Sequence, residues 1–174
     1  MSSIVQNGEL VLRDIARPVP EELFGSEELS QMLRDMDTAL DAEADGVALA
    51  APQIGIPYRI FIARMDRTLS PREERKADPE LLPKRELVVF INPEIIRSSQ
   101  KRIEMDEGCL SVRGLYGKTR RHNRATVRAR AEDGSTFERG GGGIVAQIYQ
   151  HEIDHLNGIL FIDHAKDLVE VNHE

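Results

Sequence analysis

The sequence has no tryptophan and a single cysteine, Cys109. One cysteine excludes an internal disulfide, which fits a reducing cytoplasm, and it leaves the thiol free to act as a ligand or a nucleophile. No apolar run approaches the roughly 20 residues that a membrane-spanning helix needs. The opening residues, Met1-Ser2-Ser3-Ile4-Val5-Gln6, lack a charged start followed by an apolar stretch, so no secretory signal is expected. Acidic residues outnumber basic ones, 30 Asp and Glu against 23 Lys and Arg. The formal net charge is -7, which argues against broad nucleic-acid binding, although a local basic cluster runs from Lys118 to Arg130. There is no internal repeat, and Gly140-Gly141-Gly142-Gly143 is the only low-complexity run. It lacks the Lys-Ser/Thr of a phosphate-binding loop and reads instead as a flexible entry to the next helix.

What is present suits one domain over residues 1–174 with a sizeable core. Pro18 and Pro20 mark residues 8–20 as an extended or looping arm. Ser26 before Glu27 and Glu28 is a helix start. Leu29, Met32, Leu33, Met36 and Leu40 follow at helical spacing, predicting a helix over 27–44 that stops before Gly46. Small residues dominate 46–55, as in a tight turn or a place where a ligand backbone comes close. Residues 58–63 and 87–91 read as strands, the second ending at Asn92-Pro93. Between them, 64–86 is charged and contains Pro71, Pro79 and Pro83. It reads as a surface excursion with a short helical turn near 72–76. Residues 126–131 and 135–138 read as a hairpin across Asp133-Gly134. A helix is expected over 144–156, closed by Gly158, then a short strand at 160–162 and a polar, solvated tail that includes His164 and His173.

The predicted second helix carries Gln150-His151-Glu152-Ile153-Asp154-His155. Residues four apart share a helix face, about 6 Å apart along the axis. His151 and His155 can therefore present two imidazoles to one metal ion, with Glu152 beside them to handle the proton of a bound water. This His-Glu-x-x-His spacing is a signature of metal-assisted hydrolysis. Such sites generally use three protein ligands. Zincin-type metallopeptidases take the third from downstream. Here the downstream candidates are Asp163, His164, Asp167, Glu170, His173 and Glu174, with no second motif among them. Upstream stands Cys109, and a thiolate with two imidazoles would hold Zn²⁺ or Fe²⁺.

Three segments in order resemble the peptide deformylases: Gly46-Val47-Ala48-Leu49-Ala50-Ala51-Pro52-Gln53, Glu107-Gly108-Cys109-Leu110-Ser111 and Gln150 to His155. Asn92-Pro93, Arg121 and Leu160-Phe161 to Asp163 extend the likeness over nearly the whole chain. The resemblance implies a cytoplasmic hydrolase that removes the formyl group from formyl-methionyl nascent peptides near the ribosome, releasing formate. It implies an α+β fold of mixed, mainly antiparallel sheets around a central metal-binding helix. The implied metal ligands are Cys109, His151 and His155, with water as the fourth. Fe²⁺ is the implied native ion, and Zn²⁺, Ni²⁺ or Co²⁺ can substitute. Glu152 would carry the proton from that water to the leaving amine. The Gln53 amide and the Leu110 N–H would steady the oxyanion. Val47, Ala48, Ile144 and Ile148 would contact the substrate, with the methionine side chain in an apolar pocket. Arg121 would pair with Asp154 and buttress the helix.

Two positions depart from the family pattern. Ala48 stands where glycine is usual and is expected to crowd the substrate or demand a shift in φ. Arg113 stands where proline is usual and is expected to make the turn after Cys109 looser or more positively charged. If Ala48 blocked turnover, the chain would be a catalytically impaired homologue that binds formylated peptides.

Overall fold

The computed structural model describes residues 3–68 and 84–171. The turn expected at 72–76, with Pro71, Pro79 and Pro83, lies outside the described residues, as do His173 and Glu174.

Helix α1 (Glu27–Asp41) begins where the sequence predicts, because Ser26 Oγ accepts the Leu29 N–H at 3.1 Å. It ends three residues earlier than the periodicity suggests. Strands β1 (Ala48–Ala50), β2 (Ile60–Arg64), β3 (Leu87–Ser98), β6 (Arg124–Arg130) and β7 (Thr136–Gly142) form a five-stranded sheet in the order β1-β2-β3-β6-β7. A three-stranded sheet runs β4 (Arg102–Cys109), β5 (Val112–His122), β8 (Lys166–Glu170). Every pairing in the two sheets is antiparallel, and an isolated parallel bridge joins Arg17 to Tyr58. The fold is α+β with antiparallel sheets.

Strand β2 is apolar on both faces because a helix covers each. Ile60 and Ile62 pack with Leu29, Leu33, Met36 and Leu40 of α1. Phe61 and Ala63 point the other way, into a cluster with Phe90, Val127, Ala146, Ile148, Tyr149 and Leu156. The last four belong to α2 (Ile144–Leu156), which packs against the five-stranded sheet and also touches β5 of the smaller one. α2 therefore lies where the two sheets meet. Among the described residues no helix is long and apolar enough to cross a membrane.

Four sequence expectations change. The glycine run is not a flexible entry: Gly140 to Gly142 pair with Thr126, Ala125 and Arg124 in β7, and only Gly143 turns, at φ 57°. A Cβ on Gly141 would lie 2.2 Å from Val145 Cγ1, so this glycine lets α2 sit close on β7. Strand β3 does not end at Asn92-Pro93 but runs on to Ser98 through two register shifts. Asn92 absorbs the first at φ 50° while its side-chain amide bonds both the N–H and the carbonyl of Val19. Residues 161–163 form a 3-10 turn rather than a strand, because Asp163 reaches back to the Leu160 N–H and pairs with Arg13. The polar tail contains β8, which no hydrophobic pattern announces, since all five of its residues are exposed.

Candidate functional site

The hairpin of β4 and β5 closes through Leu110-Ser111, with Cys109 opposite Val112. A register shift between Glu107 and Cys109 bulges the strand there, and a bulge re-aims the side chains beside it. Gly108 makes the bulge possible, since a Cβ at that position would sit 2.6 Å from the Tyr116 ring. Cys109 Sγ thereby faces α2. It lies 3.2 Å from His155 Nε2, and the ligand atoms of Cys109, His151 and His155 all fall within 4.8 Å of one another.

Behind His151 is a buried charge network. The Arg121 guanidinium grips Glu107 through Nε at 3.0 Å and Nη2 at 2.6 Å, and donates to Asp154 Oδ2 at 2.6 Å. Thr119 and Gln147 also donate to Glu107. The remaining acceptor capacity of Glu107 is directed at His151 Nδ1, 2.5 Å away, which leaves Nε2 for the site. Burial pushes the Glu107 carboxyl up, but the His151 and Arg121 contacts outweigh it and hold the group well below the usual carboxylate range. Sequence reasoning passed over Glu107 as an orienting residue. The signal available was its place two positions before Cys109 in an otherwise apolar-facing strand end.

The other groups are poised by burial. Burial raises Glu152 to about 7, opposed by His151; the residue is 4% exposed, and its Oε2 has no hydrogen-bond partner among the described residues. Burial also pushes His155 well below the ordinary imidazole value, with His151 adding to the effect, and its Nδ1 has no partner among the described residues. Burial pushes His151 down as well, but the Cys109 sulfur and Glu107 raise it well above its ordinary value. Gln53 sits in the 3-10 turn after β1. Its Oε1 accepts the Ala50 N–H at 2.8 Å, so its Nε2 points at Ser111 Oγ (3.0 Å) and towards Cys109 Sγ (3.7 Å).

A cleft of about 370 Å³ opens onto these groups. Val47, Ala48, Gln53, Leu110, Ile144 and Ile148 line it together with Cys109, His151 and Glu152. His155, Arg121 and Asp154 are not in its lining. Ala48 is ordinary extended backbone on edge strand β1, and positive φ among described non-glycine residues is confined to Asn92 and Asp167. Ala48 therefore demands no shift in φ. In the turn after Cys109, Arg113 pairs with Asp45 at 3.2 Å and with Glu43, so its added charge is partnered there.

An α+β fold with thiol, imidazole and buried carboxylate groups gathered at the floor of such a cleft is that of a hydrolase with a candidate divalent-metal site. The sequence pattern of the polypeptide deformylase family matches residues 1–171. A peptide deformylase of Hydrogenovibrio crunogenus is 37% identical over 157 residues, covering 90% of this chain and 81% of that one. One from Thermomicrobium roseum is 42% identical over 141 residues, covering 81% and 74%. The crystal structure of a class I type b peptide deformylase from Acinetobacter baumannii, bound to Met-Ala-Ser, superposes with a TM-score of 0.80 at 35% identity over 92% of this chain and 96% of that one. The chain belongs to the polypeptide deformylase family. It is an enzyme whose function is the removal of N-formyl groups from nascent peptides.

Proposed function

We propose that the chain works as one catalytic domain over residues 1–174 in the cytoplasm, acting on formyl-methionyl peptides as they leave the ribosome. Cys109, His151 and His155 would hold a single divalent ion. A thiolate and two imidazoles are a soft set, suited to Fe²⁺ as the native ion and to Zn²⁺, Ni²⁺ or Co²⁺ as substitutes. The observation that carries this reading is the convergence of those three ligand atoms within 4.8 Å beside a buried Glu152 oxygen that has no partner among the described residues. When bound, the ion supplies Lewis acidity to a water and to the formyl oxygen.

The chain's own residues would do the rest. Glu152 Oε2 accepts the proton of the attacking water and delivers it to the departing amine. The charge of an ion beside it would lower the carboxyl that burial raises. Gln53 Nε2 and the Leu110 N–H donate to the oxygen that becomes negative. Val47, Ile144 and Ile148 provide apolar walls for the methionine side chain, and the open edge of β1 at Ala48 meets the peptide backbone. Glu107 keeps His151 in one tautomer, and Arg121 ties that carboxylate to Asp154.

The test is formate release from a formyl-methionyl peptide under anaerobic conditions with Fe²⁺, with metal analysis of the same sample. Cys109→Ala is expected to lose both metal and turnover. Full metal occupancy in that variant would remove Cys109 from the ligand set. No turnover in correctly metallated parent protein would favour a peptide-binding homologue.

A further inference from the structure

Residues 5–7, the start of the N-terminal arm ahead of the 8–20 stretch, have no part in the site described so far, yet all three reach it. Val5 N–H donates to the Gln53 carbonyl at 2.8 Å. Gln6 Nε2 donates to the Leu110 carbonyl at 2.9 Å. Asn7 N–H donates to the Ser111 carbonyl at 2.7 Å. Gln6 Oε1 also accepts from the Arg113 N–H at 3.4 Å. We infer that residues 5–7 form a latch across the two segments that supply the oxyanion donors, and that Gln6 is a positioning residue for the reaction. This rests on the assignment of Gln53 and Leu110 to that role.

Gln53 comes from the turn after β1 on the larger sheet, and Leu110-Ser111 is the tip of the β4–β5 hairpin on the smaller one. The two segments belong to different sheets, and the Gln53–Ser111 side-chain bond ties them at the cleft. The latch ties them from behind. The Leu110 carbonyl and the Ser111 N–H share one planar peptide unit. Its N–H end points at Cys109 Sγ, 3.4 Å away, and its carbonyl end is held by Gln6. Tilting that plane moves the N–H off the sulfur and rotates the backbone at Leu110, whose own N–H is the second oxyanion donor. A two-residue hairpin tip has no neighbouring strand to hold its carbonyls, and the arm takes both.

The experiment uses the full-length, metal-loaded enzyme with three variants of Gln6, which is exposed and tolerates substitution without a core penalty. Gln6→Glu keeps the shape but removes the donor. Gln6→Ala removes both functions, and Gln6→Lys restores a donor. Measured on formyl-Met-Ala-Ser, Gln6→Ala and Gln6→Glu are expected to lower kcat about tenfold, part of the roughly hundredfold that a displacement near 1 Å costs. KM should stay within about twofold and metal content should be unchanged. Amide exchange at Asn7 and Ser111 should quicken in the same two variants, and Gln6→Lys should recover most of kcat. Unchanged kcat in Gln6→Glu would overturn the positioning role, and unchanged exchange would overturn the latch. A Gln53→Ala control separates the underlying reading: retained kcat there would remove the oxyanion assignment itself.

Discussion

At the scale of single residues, the site divides into groups that face the cleft and groups that hold them. Glu152 belongs to the first. Glu152→Gln is expected to keep the metal and lower kcat by about 10²- to 10⁴-fold, the usual worth of a positioned acid–base group; metal analysis beside kinetics checks both halves. Glu107 belongs to the second. Glu107→Ala leaves Arg121 buried without its main partner and His151 unoriented. Unfolding free energy is expected to drop by about 3–5 kcal/mol, with metal affinity down about 10- to 100-fold, read from denaturant titration and from competition with a chelator. Asp66 offers a pH test away from the centre. The Arg64 guanidinium and the Glu86 N–H bring its carboxyl from 3.8 down to about 2. A depressed folded value contributes stability that is fully present above pH 3.8 and is lost as pH falls through about 2. Thermal melts of the parent and Asp66→Asn should therefore differ at pH 5 and converge near pH 2.

At the scale of elements, what could be read from sequence follows locality. α2 was legible to the residue, because its apolar face, its histidine spacing and its glycine stop all lie within one short window. α1 and the 133–134 turn were legible for the same reason. Glu107 as a partner of His151 was not, because that role exists only once β4 and α2 approach each other. β8 was not, because it is held by pairing to β5 and all five of its residues are exposed. The glycine run misled because glycine is ambiguous: it signals flexibility in isolation and close packing when a helix lies on it. That packing makes a prediction. Gly141→Ala places a methyl against Val145 and should cost about 1–3 kcal/mol in urea unfolding; an unchanged midpoint would mean that α2 does not rest on β7.

At the scale of the whole molecule, two sheets of different size share one helix, and the site is where they meet. The five-stranded sheet supplies the β1 edge and, in the turn after it, Gln53; the smaller one supplies Cys109 and, at its hairpin tip, Leu110; and α2 supplies both histidines and Glu152. The fold class was readable because these three segments keep their order along the chain. Their convergence was implied by the family resemblance but by no local pattern, since it depends on long-range strand pairing. The central claim is that convergence on one ion. X-ray absorption of the zinc-substituted enzyme tests it most directly. The account predicts one sulfur at about 2.3 Å and two imidazole nitrogens at about 2.0–2.1 Å, with the sulfur lost in Cys109→Ala. A metal shell with no sulfur in the parent protein would contradict it.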